Sequence, residues 1–311
     1  MRIGSGKHTY EWIEDWARIP DTESSRASGR THGVAVNGTG SILVFHEATP
    51  AVLVFKPNGS QQSAWGDHFP GAHGMTLVRE GMSEYLWLTD YKAGEVVKTT
   101  LDGKRLMQLS RPEIAAYRDG RYAPTWVAVH EERHGGNGDV WVADGYGQSY
   151  VHRYDRAGHY LGSINGTEGK AGAFRCPHAV LVDMRKTEPE LYIADRSNRR
   201  IQVYDLDGRY KRVFGDDIAN CPCGVSTHGD EMLITEAPYR ARLTILDIDD
   251  RLVCALGVND EVCTMEGFPN SRQLVKSGKF NTPHAVTADP AGNLYVVEWI
   301  TGGRITKLAK V

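Results

Sequence analysis

The chain has 311 residues, about twice a typical single-domain length, so it holds either two ordinary domains or one large repetitive one. Its 36 Lys+Arg against 39 Asp+Glu give a formal charge of −3, which excludes a global pull toward nucleic acid or an anionic membrane surface. No apolar run approaches the roughly 18 residues of a bilayer span, and the opening MRIGSGKHTYEW has no apolar centre of the kind a signal peptide carries. A soluble, cytoplasmic protein with no nucleic-acid or membrane partner is expected, its oligomeric state left open. Five cysteines, Cys176, Cys221, Cys223, Cys254 and Cys263, are odd in number and sparse, which argues against a disulfide framework and for a reducing compartment. Thirty-four glycines, seven tryptophans and fourteen tyrosines suit many short strands and turns.

In chain order, a first strand-like segment, Tyr10 to Ile19 (YEWIEDWARI), precedes six copies of one phrase: a short apolar strand opened by His or Pro-X, a second strand closed by an acid, and a third. The copies open at Thr31 (THGVAV), Ala72 (AHGMTL), Pro124 (PTWVAV), Pro177 (PHAVLV), Pro222 (PCGVST) and Pro283 (PHAVTA). The second strands read SILVFHE, YLWLTD, DVWVAD, ELYIAD, EMLITE and NLYVVE. The second residue of each opening forms a column of His32, His73, Thr125, His178, Cys223 and His284, spaced 41, 52, 53, 45 and 61 residues apart. A unit of three or four short antiparallel strands cannot bury its faces alone, whereas six packed radially can. The expectation is all-β: a single six-bladed β-propeller over residues 1–311, with Gly166 to Gly172 as a blade connection. Arg111 to Tyr122 and Asn259 to Lys279 are expected as loops over one face. The last copy has only three strands, so Tyr10 to Ile19 is expected to supply its outermost strand and close the ring.

In a propeller the innermost strands start beside the axis, so the column should line the channel mouth. His73, His178 and His284 fall in alternate blades, about 120° apart, which gives a facial three-His site with an open position. That arrangement suits catalytic Zn2+, with Fe, Co or Mn as other possibilities. The competing reading is that a repeat reuses one residue for a local packing or hydrogen-bonding reason, and His32 shares the column without belonging to the alternate set. His32, Thr125 and Cys223 would then line the pocket, with the Cys223 thiolate able to join a metal. Cys221-Pro-Cys223 lacks zinc-ribbon spacing.

A second column, Glu47, Asp90, Asp144, Asp195, Glu236 and Glu298, closes the middle strands and is read as turn-capping. The residues just beyond it vary: Tyr91, Gly145-Tyr146, Arg196 and Trp299. A tyrosine beside a metal can serve as general base, and an arginine can clamp a carboxylate or stabilise developing negative charge.

The phrases AHGMTL, PTWVAV, DVWVADGY, FRCPHAVLV, ELYIADRSNRRIQVY and FNTPHAVTAD resemble those of NHL-repeat propellers, and specifically of the peptidyl-α-hydroxyglycine α-amidating lyases. The resemblance spans all six copies and is weakest in the fifth. It implies zinc held by His73, His178 and His284, Tyr146 and Arg196 as catalytic residues, and cleavage of the C–N bond of a carbinolamide to an amide and glyoxylate. Mapped here, zinc and Arg196 would hold substrate oxygens while Tyr146, as tyrosinate, takes the hydroxyl proton. Glu47 stands where the family has a carboxylate-gripping Arg, an inversion of charge that puts a carboxylate substrate in question. Ala285 replaces an Asp associated with structural Ca2+, leaving calcium undecided. The family's disulfide cysteines are absent around Tyr146.

Substrate contacts are therefore expected from Glu47, His32, Tyr91, Trp299 and Cys223, with a small or peptide-like molecule as partner. A metal-dependent hydrolase of an ester, lactone or amide on the same site is the alternative enzyme. A non-catalytic propeller that binds peptide, protein or RNA is the alternative class.

Overall fold

The computed structural model describes residues 1–216 and 220–311. Among these the strands form six antiparallel sheets, divided between two compact units: Pro70–Asp216, and the described residues of Met1–Phe69 and Asp217–Val311.

The first of these units holds the second, third and fourth copies of the repeat. Their sheets run Ala72–Glu80, Ser83–Asp90, Glu95–Thr100 and Arg105–Gln108; then Trp126–Val129, Val140–Ala143, Val151–Tyr154 and Tyr160–Ile164; then Pro177–Asp183, Glu190–Asp195, Arg200–Tyr204 and Tyr210–Phe214. Each is a meander whose strands pair in sequence order. The second strand of the third copy, Val140–Ala143, is apolar on both faces because the second and fourth copies pack against its sheet from either side. Leu191, Tyr192, Ile193 and Ala194 are all fully buried, whereas Tyr210–Phe214, at the edge of the same sheet, alternates between half-buried and exposed. Continuous apolar runs thus mark the inside of the stack and alternation marks its rim.

The insert at Arg111 to Tyr122 is irregular apart from a 3-10 turn at Ala115–Tyr117, as expected of a loop, but it is anchored in the core. Tyr117 and Tyr122 are 3 % and 7 % exposed and pack with Trp87, Val96, Val127 and Val142 between the second and third blades. Aromatic bulk in an insert was the available signal that it is core.

The other unit holds the first copy (Thr31–Val36, Ile42–His46, Val52–Phe55, Gln61–Trp65), the fifth (Pro222–His228, Glu231–Glu236, Ala241–Leu246, Leu252–Asn259) and the sixth (Pro283–Ala288, Leu294–Glu298, Arg304–Lys310). The sixth sheet is completed from the other end of the chain: Tyr10–Ile13 pairs with Arg304–Lys310, setting Tyr10 opposite Lys310 and Trp12 opposite Leu308. The expected strand is therefore present but ends at Ile13, ahead of Asp15 at φ 48°. It is not outermost, because Arg2–Ile3 adds a fifth strand beyond it. The insert after Asn259 likewise buries Val262 in the core shared by the fifth and sixth sheets.

Trp12 anchors this closure. It is 3 % exposed, its ring lies 4.8 Å from that of Phe280, and the Arg304 guanidinium stands 5.2 Å above it. Trp12→Ala is expected to destabilise the protein by about 3–5 kcal/mol, the cost of a large buried cavity. Denaturant unfolding checks this; a loss below about 1 kcal/mol would show that the strand merely decorates the sheet.

Candidate active site

In the unit Pro70–Asp216 the column residues occupy equivalent places at the start of each innermost strand, and they bond sideways to the next blade. The Nδ1–H of His73 donates to the Thr125 carbonyl at 2.8 Å, and the Thr125 hydroxyl lies 3.3 Å from the Pro177 carbonyl. Gly74 makes room for this: a Cβ there would meet the Thr125 carbonyl oxygen at 2.4 Å. With its Nδ1 proton committed, His73 presents the lone pair of Nε2. The structural and chemical readings of the column thus use different atoms of the same ring.

Those Nε2 atoms converge on one hydroxyl. Tyr146 Oη lies 3.2 Å from His73 Nε2, 3.0 Å from His178 Nε2 and 3.2 Å from the Arg196 Nη1 that donates to it. The two imidazoles are fully buried, with ring centroids 4.8 Å apart. A phenol has one proton, so it cannot donate to both nitrogens at once. A divalent cation bound by both imidazoles would resolve that competition, and the donor set therefore fits a transition metal. The Arg196 guanidinium also stands 5.2 Å over the Tyr146 ring. Tyr91 packs edge-on to both Tyr146 and His73, at 5.2 and 5.8 Å. The structure accordingly brings together His73, His178, Tyr146, Arg196 and Tyr91, all of which the sequence singled out.

The acid column fastens this arrangement. Asp90 accepts backbone N–H bonds from Gly71, Lys92 and Ala93, and Asp144 from Ala123 and Gln148. Asp195 accepts from Arg175, immediately before the turn carrying Arg196. The acids therefore hold the segment leading into their own blade, and only Asp90 and Asp144 also cap the following turn. Gly147 is required beside Asp144, since a Cβ would fall 2.1 Å from its carboxylate oxygen.

Sequence reasoning missed what lies behind Asp144. Tyr117 donates to it at 2.6 Å and contacts His152 Nε2 at 2.7 Å, while His152 Nδ1 meets the Ser163 hydroxyl at 2.7 Å. Burial raises the Asp144 carboxyl, against the pull of Tyr117 and the backbone N–H groups, and presses the His152 imidazole down to about 3. His152 is therefore neutral when folded, and its stabilising contribution is complete above the unfolded value near 6.5 and lost as pH falls toward 3. His46 and His8, also lowered by burial, act in the same direction. The melting temperature is expected to fall between pH 6.5 and 5, above the carboxylate range. A flat profile there would contradict buried neutral histidines.

In the other unit, His284 repeats the His73 pattern: its Nδ1–H donates to the His32 carbonyl at 2.8 Å. The His32 ring, whose Nδ1 lies 3.1 Å from the Arg30 carbonyl, stands 4.6 Å from that of His284. His32 is thus a direct neighbour of a candidate ligand, closer than its pocket-lining assignment implied. The Cys223 thiol is buried and directed at the Ala237 carbonyl, 3.3 Å away.

Glu47 does not present a bare negative edge. It accepts from the Ser28 hydroxyl at 2.7 Å and lies 3.5 Å from Arg30, whose guanidinium also stacks 5.4 Å over Trp299. The charge inversion read from the sequence is offset by an arginine supplied 17 residues earlier, and the expected repulsion of an anionic substrate is corrected to that extent. Ala285 is buried and, having no side-chain oxygen, can offer calcium no side-chain ligand.

The strand arrangement is that of a six-bladed β-propeller. No family model matches the sequence. It is 26 % identical over 211 residues, 58 % of the chain, to a probable peptidyl-alpha-hydroxyglycine alpha-amidating lyase of Caenorhabditis elegans. It is 25 % identical to peptidyl-alpha-hydroxyglycine alpha-amidating lyase 2 of Drosophila melanogaster, over 96 % of the chain and 74 % of that protein. NHL repeat-containing protein 3 of Homo sapiens is also 25 % identical, over 65 % of the chain. The chain spans 57 % of the worm relative and 58 % of the human one. Among solved structures, a gluconolactonase of Xanthomonas campestris superposes with a TM-score of 0.67 at 12 % identity over 99 % of the chain and 94 % of its own. Virginiamycin B lyase of Staphylococcus aureus gives 0.63 at 12 % identity, over 97 % and 100 %. Likeness at that identity establishes the fold.

Proposed function

We propose that the protein is a metal-dependent lyase that cleaves the C–N bond of a carbinolamide. The observation carrying this reading is the single hydroxyl of Tyr146 placed within hydrogen-bond reach of His73, His178 and Arg196. Similarity to the amidating lyases supports it. His73 and His178 would hold the ion, for which zinc suits the nitrogen donors; within its own unit His284 has the same committed Nδ1–H as His73. When bound, such an ion supplies Lewis acidity toward a substrate oxygen.

Tyr146, ionised under the influence of Arg196, accepts the proton of the substrate hydroxyl. The carbon–oxygen double bond forms as the C–N bond breaks, the electron pair passes to the amide nitrogen, and that nitrogen takes back a proton from Tyr146. The products are an amide and an aldehyde, and no water is consumed. Arg196 donates to the oxygen on which charge accumulates.

The test is turnover of a peptidyl-α-hydroxyglycine in water enriched in oxygen-18. Cleavage is expected to leave the newly formed amide unlabelled. Label in an acid product would instead assign the site to hydrolysis, and absence of any metal-dependent turnover would favour a non-catalytic binding propeller.

A further inference from the structure

We infer that Arg121 is a specificity residue that grips a carboxylate of the substrate on the Tyr91 side of the site. This rests on the lyase reading for its biological meaning but not for its test.

Arg121 lies between Tyr117 and Tyr122, the aromatic residues that lock the insert into the core, so its backbone is held although its side chain is exposed. One nitrogen, Nη2, donates to the Tyr91 carbonyl at 2.7 Å, and the guanidinium carbon stands 5.9 Å over the Tyr91 ring. That ring in turn stands 5.2 Å from Tyr146. No carboxylate among the described residues pairs with Arg121, and its remaining N–H donors keep their fork geometry. Asp90 and Asp144, of the acid column, are fully buried and occupied by backbone N–H groups, and the Arg121 charge reaches Asp144 without forming an ion pair with it. Lys92 places a second cation 5.4 Å over the same Tyr91 ring, and Arg196 a third over Tyr146. This flank of the site is therefore cationic, with a planar guanidinium on Tyr91, the ring that packs against Tyr146. A carboxylate bound there would direct the rest of the molecule past Tyr91 toward Tyr146.

Hippurate, which carries a carboxylate on a glycyl amide but no hydroxyl to be deprotonated, is the probe, with hippuramide as its uncharged counterpart. Titration calorimetry is expected to show hippurate bound at least about tenfold more tightly than hippuramide, as a charge-assisted contact implies. Arg121→Gln should weaken hippurate about ten- to a hundredfold and leave hippuramide unchanged. Arg118→Gln, an exposed change in the same insert, should alter neither. Equal affinity of the two compounds for the wild type, no measurable hippurate binding, or an Arg121→Gln protein that binds hippurate normally would each overturn the assignment. Loss of hippurate binding in Arg121→Gln without any cleavage of a hydroxyglycine substrate would uphold the grip and reject the lyase.

Discussion

Tyr146→Phe is expected to lower kcat on a peptidyl-α-hydroxyglycine by about 10²- to 10⁴-fold, the range for removal of a positioned general base. KM should change little, because the ring and its packing against Tyr91 and His73 remain. The protein should keep its metal, since the phenol oxygen is replaced without disturbing either imidazole. That separation is the informative part: the variant would be folded, metal-loaded and inactive. Activity within about tenfold of wild type would remove Tyr146 from the chemistry and leave the convergence on its hydroxyl as packing alone.

His178→Ala is expected to act on the other half of the site. The wild-type protein should carry about one transition metal per chain, and the variant should lose it together with activity. Elemental analysis after exhaustive dialysis reads the first quantity directly. Because His178 is fully buried beside Tyr146, a stability measurement on the metal-free wild type is the necessary companion. Retention of the full metal content in His178→Ala would place the ion elsewhere.

The fold was legible because burial in stacked blades imposes a repeated demand. Inner strands such as Leu191 to Ala194 must be apolar on both faces, and each blade must be fastened at the same two points, so the column and the acids recur with a period. The candidate site residues were legible as departures from that repetition: Tyr146 and Arg196 sit where neighbouring blades carry other side chains. What stayed hidden depends on contacts made across the chain. The Nδ1–H of His73 is fixed by a carbonyl 52 residues away, and a backbone acceptor leaves no trace in composition. Tyr117 and Arg121 lie in an insert with no counterpart in other blades, so no column could expose them. Arg30 compensates Glu47 from outside the motif in which Glu47 was read, and a comparison restricted to motif positions therefore overstated the field at that edge.

The sheet shared by Tyr10–Ile13 and Arg304–Lys310 also sets the order of events during synthesis. Tyr10 and Lys310 are paired across 300 residues of chain, so this strand is made long before its partner and Trp12 stays uncovered until both are present. Joining the two ends by a short linker and opening the chain at an exposed turn, such as the one at Gly81 and Met82, would turn this long-range pairing into a local hairpin, and the permuted protein should reach the same sheet by a faster route.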